Sequence, residues 1–133
     1  MLVGIFRRGE RHLENEPVDP DARSPESGIK YKDLEVMRQL LDHGANLDEP
    51  RHVVHFSIFS SQDGALEASR ELSAYGWTSE PAMPLPAYPG QWSVKSERAG
   101  VVLALVFVRD STAVLEAIAA RHGGEYDGWE ASV

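Results

Sequence analysis

Three observations predict an α+β fold. Apolar residues recur at helical spacing in separated segments, they alternate with period two in stretches between, and turn-forming Gly and Pro residues divide these segments. Their order is helix, strand, helix, strand, strand, helix, strand. After its leading helix this is the βαββαβ order of a ferredoxin-like sandwich, in which an antiparallel sheet carries helices on one face. The sequence therefore predicts that fold with an added N-terminal helix. Its 133 residues suit one core. Composition divides it into a largely irregular extension, residues 1–30, and a folded domain, residues 31–133.

Leu2 to Phe6 reads as a short strand, and residues 9 to 28, with Pro17, Pro20 and Pro25 among acidic residues, read as a loop. Tyr31, Leu34, Met37, Leu40 and Leu41 predict a helix over 31–43, closed by Gly44. His52 to Phe59 alternates, with Val54, Phe56 and Ile58 on one face and Val53, His55, Ser57 and Phe59 on the other; this predicts a central strand. Ser60 or Ser61 then caps a helix whose stripe is Ala65, Leu66, Ser69, Leu72 and Tyr75, ending at Gly76.

Trp77 to Met83 is a second strand, stopped by Pro84, Pro86 and Pro89, which read as a stiff connection. Gln91 to Arg98 is its antiparallel neighbour in a wide hairpin. Val101 to Val108 fits a buried strand in isolation, yet Leu105, Val108, Thr112, Leu115, Ile118 and Ala119 share a helical stripe. The expectation is a helix beginning between residues 103 and 111 and stopped by Gly123-Gly124, followed by a last strand, Glu125 to Val133.

Composition excludes several classes of function. The longest apolar run, Val101 to Val108, is far short of the roughly 18–20 residues that cross a bilayer. The absence of cysteine removes disulfides, thiol nucleophiles and thiolate zinc sites. A net charge of −8 opposes a phosphate backbone, so direct nucleic-acid binding is disfavoured and a basic protein partner suits the chain better. With no secretory leader pattern at Met1 to Arg8, the expected location is cytoplasmic.

No catalytic constellation or cofactor motif emerges. There is no Gly-rich phosphate loop and no G-x-S-x-G elbow. His52 and His55, three apart on a strand, point to opposite faces and do not grip one metal. Glu125 and Asp127 form a carboxylate pair roughly 7 Å apart by strand rise, without the other parts of a hydrolase site. The run Gly123-Gly124-Glu125-Tyr126-Asp127-Gly128-Trp129-Glu130 is unusual for the end of a domain. Strict alternation places Glu125, Asp127 and Trp129 on one face and Tyr126, Gly128 and Glu130 on the other, so at most one aromatic reaches the core; alternatively, Asp127-Gly128 marks a bulge that turns Trp129 inward. Core packing and recognition both account for the run. The candidate partner-binding residues are Glu125, Tyr126, Asp127, Gly128, Trp129 and Glu130.

That run, with Leu40-Leu41-Asp42-His43-Gly44-Ala45, Ala74-Tyr75-Gly76-Trp77 and Gln91-Trp92-Ser93, resembles the regulator of ribonuclease E activity B (RraB) family over about residues 31 to 133. The resemblance implies a ferredoxin-like fold and a bacterial cytoplasmic protein that binds and inhibits endoribonuclease E of the RNA degradosome without acting on RNA itself. A non-catalytic, protein-binding regulator without a cofactor or metal is therefore the leading expectation. The alternative is a small-ligand sensor using the open sheet face, with Trp77, Trp92 or Tyr88 lining a pocket. The sequence sets no oligomeric state.

Overall fold

The computed structural model describes residues 2–5 and 19–133; the rest of the predicted loop before residue 19, and Phe6, lie outside the described residues. In chain order the elements are β1 (Leu2–Ile5), α1 (Tyr31–Asp42), β2 (Arg51–Phe59), α2 (Gln62–Ala74), β3 (Thr78–Ser79), β4 (Met83–Pro84), β5 (Trp92–Val101), α3 (Leu105–Arg121) and β6 (Gly124–Ser132). The sheet runs β1-β6-β2-β5-β3, with β4 also paired to β5, and every pairing is antiparallel. The β6-β2-β5-β3 order is that of the βαββαβ sandwich; β1 extends it beyond β6. The fold is the expected α+β, ferredoxin-like sandwich with an N-terminal helix.

The helices cover one face of the sheet and enclose a core that includes Val36, Leu40, Val53, Phe59, Leu72, Val94, Leu115, Ile118 and Trp129. Burying such side chains stabilises the fold by roughly 1.5–3 kcal/mol each before entropy is counted. Of the two candidate caps of α2, Ser60 and Ser61, it is Ser61 whose hydroxyl accepts from the Gly64 amide, at 3.0 Å. The buried stripe of α2, however, is Ala65, Ala68 and Leu72, while Leu66 and Tyr75 are exposed. Small residues bring α2 close to its neighbours: a Cβ built on Gly64 would stand 2.4 Å from the His122 carbonyl oxygen at the end of α3. Glu71 of α2 also pairs with Arg121 and His122, the latter at 2.8 Å.

Helix α1 is likewise rotated from its predicted stripe. Val36, Met37 and Leu40 are buried with Asp33, whereas Leu41 is exposed. Leu105, predicted on the buried stripe of α3, is exposed in the first turn; Val108, Thr112, Leu115, Ile118 and Ala119 are buried as expected. The predicted strand from Trp77 to Met83 reduces to the two short pieces β3 and β4, since Trp77 turns into the core and Pro81 between them has no N–H for a ladder. Pro84 pairs at the sheet edge, where proline is tolerated. Residues 85–91 close the hairpin through Leu85 N–H to Gln91 O at 3.0 Å and Tyr88 N–H to Leu85 O at 3.1 Å.

The register of β2 assigns the faces. Val53, His55, Ser57 and Phe59 face the helices with Trp92, Val94, Ser96 and Arg98 of β5; Val54, Phe56 and Ile58 face the open side with Ser93, Lys95 and Glu97. Both sets are largely buried, because long polar side chains and residues 80–85 cover part of the open face.

Candidate functional site: the open sheet face and its buried support

The site is made by one irregularity in β6. Phe56 of β2 stands opposite Gly128, but Ser57 stands opposite Tyr126, so Asp127 is an extra residue on the β6 side. Gly128 has φ of 110°, a conformation that L side chains rarely adopt. The bulge shifts the alternation by one residue. Tyr126 and Trp129 therefore both face the helices, and the strict-alternation expectation that at most one aromatic reaches the core is overturned. The bulge alternative at Asp127-Gly128 is what the chain adopts. By the same shift Glu130 joins Glu125 and Asp127 on the open face.

Both aromatic side chains are tied to buried polar groups. Trp129 is 2% exposed and its indole N–H donates to Asp33 Oδ1 at 2.9 Å. Burial pushes the Asp33 carboxyl up from its ordinary range; the Trp129 bond and nearby Lys32 and Lys30 oppose that shift. Tyr126 Oη lies 2.7 Å from His55 Nδ1, a bond whose donor depends on the imidazole tautomer. His55 is 2% exposed, and burial lowers its pKa to about 3, so the ring is neutral at pH 7. Burial, aided by Asp33, raises the Tyr126 phenol well above its ordinary value. The His55 ring meets Trp77 edge-on at 4.6 Å between centroids and lies 6.4 Å from Trp129. Tyr126, Trp129 and Gly128 thus define the shape of the strand end from within.

Outward, the same strand presents carboxylates. Lys95, opposite Phe56, pairs with Glu97 at 3.3 Å and with Glu80 at 3.7 Å, and its pKa is raised first by the Glu97 hydrogen bond, with Glu80 and Glu130 contributing charge. His52 Nε2 lies 3.7 Å from Glu97. His52 and His55 occupy opposite faces as predicted, one on this surface and one in the core. A cleft of about 220 Å³ opens among Phe56, Ile58, Glu80, Met83, Lys95 and Asp127, with Met83 60% exposed at its edge. Apolar ground ringed by carboxylates suits recognition of a cationic, partly apolar segment.

Sequence reasoning missed Asp33 as the partner of Trp129. Its signal was present: Asp33, Val36, Met37 and Leu40 stand at i, i+3, i+4 and i+7, placing a carboxylate on the apolar stripe. The Lys95, Glu80 and Glu97 cluster had no such signal, because only sheet register brings the end of β3 against β5, on the side of β5 away from β2. The three aromatics proposed to line a ligand pocket on the open face do not converge there. Trp77 and Trp92 face the helical layer, and Tyr88 is exposed on the hairpin loop. Among the described residues no cluster of His, Asp and Glu is arranged to hold a metal ion, and no helix is long and apolar enough to cross a membrane.

Fold and site together define a ferredoxin-like α+β sandwich with an acidic surface on the uncovered side of its sheet. The chain belongs to the family described as regulator of ribonuclease activity B, whose model matches residues 31–131. No curated protein matches the chain. The family assignment agrees with the resemblance carried by the Tyr126-Asp127-Gly128-Trp129 run, and it makes the protein a regulator of ribonuclease activity that works through a protein partner.

Proposed function

We propose that the protein is a non-catalytic cytoplasmic regulator that binds endoribonuclease E, or a ribonuclease of similar surface chemistry, and restrains it through the open sheet face. Glu125, Asp127 and Glu130 are the contact residues in this reading; Tyr126, Gly128 and Trp129 set their positions. The single observation that carries it is the β6 bulge, which turns the aromatics inward while gathering the carboxylates outward. A net charge of −8 adds long-range attraction toward a basic segment of the nuclease and opposes contact with its RNA.

The test compares binding and inhibition of purified endoribonuclease E by the wild-type chain, the double variant Glu125→Lys/Glu130→Lys, and Trp129→Ala. The charge-reversal variant should melt like wild type yet bind at least about tenfold more weakly, with wild-type affinity falling as salt rises. Undiminished binding by that folded variant would move the contact off this face. Failure of the wild-type chain to bind any ribonuclease at low salt would remove the regulator reading for this chain.

A further inference from the structure

On the helical side, away from the acidic face, an open groove of about 400 Å³ lies between the end of α2 and the first half of α3. Its apolar lining is Tyr75, Trp77, Val106, Phe107 and Val114. Tyr75 and Val106 are 51% and 54% exposed, leaving apolar surface in water where α2 and α3 diverge. One cation lines it. The Arg98 guanidinium sits 5.7 Å from the Trp77 ring centroid, above the Gly76 backbone. In a chain of net charge −8, where Arg38, Arg70, Arg109 and Arg121 all hold carboxylates, Arg98 holds none among the described residues. Asp110, the acid at the rim, is engaged by Arg109 at 3.0 Å.

We propose that this groove binds a small carboxylate with an aromatic or branched apolar body. The body would lie on Val106, Phe107 and Val114 at the edge of the Trp77 ring, and the carboxylate would take the outward N–H edge of Arg98, whose planar fork matches two carboxylate oxygens. The volume falls within the range of small-molecule sites, and an apolar lining with a single unmatched charge is their usual makeup. This inference stands apart from the ribonuclease reading, because it concerns the other side of the sheet and none of the same residues.

The probe is phenylacetate, with phenylacetamide as its uncharged counterpart, titrated into the full chain while the Trp77 indole N–H resonance is followed by NMR. Phenylacetate should shift that resonance saturably and bind at least about tenfold more tightly than the amide. Arg98→Gln should weaken phenylacetate by about the same factor without affecting the amide. Val106→Asp, which places a carboxylate at the groove mouth in a helix first turn that accepts acids, should abolish phenylacetate binding in a folded protein. No saturable shift, equal binding of acid and amide, or equal binding by folded Arg98→Gln would each overturn the proposal.

Discussion

Trp129 and Asp33 lie 96 residues apart in the chain and 2.9 Å apart in the fold, and each explains the other's burial. Trp129→Ala should cost about 3–5 kcal/mol, the range for emptying a large aromatic site. Trp129→Phe keeps most of the ring but leaves Asp33 Oδ1 without this donor, for about 1–3 kcal/mol. Asp33→Asn behaves differently, since it keeps an acceptor oxygen and removes an ionisation that burial disfavours. Because the folded carboxyl titrates above the ordinary 3.8, its favourable contribution is present below that pH and is lost as pH rises through the folded value. Asp33→Asn should therefore gain on wild type as pH rises from about 4, as read by urea melts across pH; a constant difference would contradict the assignment. His55 has the opposite dependence. Its pKa falls from 6.5 to about 3 on folding, so its contribution is complete above 6.5 and is lost as pH falls toward 3. The double variant His55→Phe/Tyr126→Phe removes both partners of the buried bond. It should lie within about 1–2 kcal/mol of wild type at pH 7 and lose less stability between pH 7 and 4. An unchanged acid profile would show that another group carries the acid sensitivity.

At the scale of elements, close approach decides more than propensity. Alanine ordinarily improves a helix over glycine by about 0.5–1 kcal/mol, yet Gly64→Ala should destabilise this protein, because its Cβ would meet the backbone of His122 at 2.4 Å. Gly124→Ala should be worse: the added carbon would stand 2.3 Å from the Phe59 ring and 2.6 Å from the Ile58 carbonyl oxygen. Guanidinium melts of both variants check the sign, and a Gly64→Ala protein more stable than wild type would show that α2 and α3 move apart at little cost. The bulge belongs to this scale too. Gly128→Val forces a β-branched residue into a φ of 110° and should cost on the order of 1–3 kcal/mol while disturbing the outward set of Glu125, Asp127 and Glu130 together.

Across the whole molecule, charge and layers are segregated. The helices seal one face of the sheet, and the other carries carboxylates around Phe56 and Ile58. A protein with pI near 5.0 and net charge −8 at pH 7 stays dispersed through self-repulsion near neutrality. Light scattering should record association as pH approaches 5, reversible on return to 7, where the net charge is again −8 and self-repulsion returns. In Glu125→Lys/Glu130→Lys the net charge becomes less negative, so the onset should move to higher pH. An unmoved onset would show that this face takes no part in self-association.

The sequence determined the element order, the fold class, a serine cap of α2 at Ser60 or Ser61, the opposite faces of His52 and His55, and the exceptional run in β6. These are local: period, turn residues and spacing are set by neighbours a few positions away. It also determined membership in the ribonuclease-regulator family, whose model matches residues 31–131. Only the tertiary structure decided which face of each helix is buried, why Leu41, Leu66 and Leu105 remain exposed, and that Asp33 is the buried partner of Trp129. It alone chose the bulge over strict alternation at Asp127, because a one-residue shift is favoured only when Tyr126 finds His55 on β2 and Trp129 finds Asp33 on α1. Those partners are distant in sequence, and the free energy that selects the register exists only once the layers close around them.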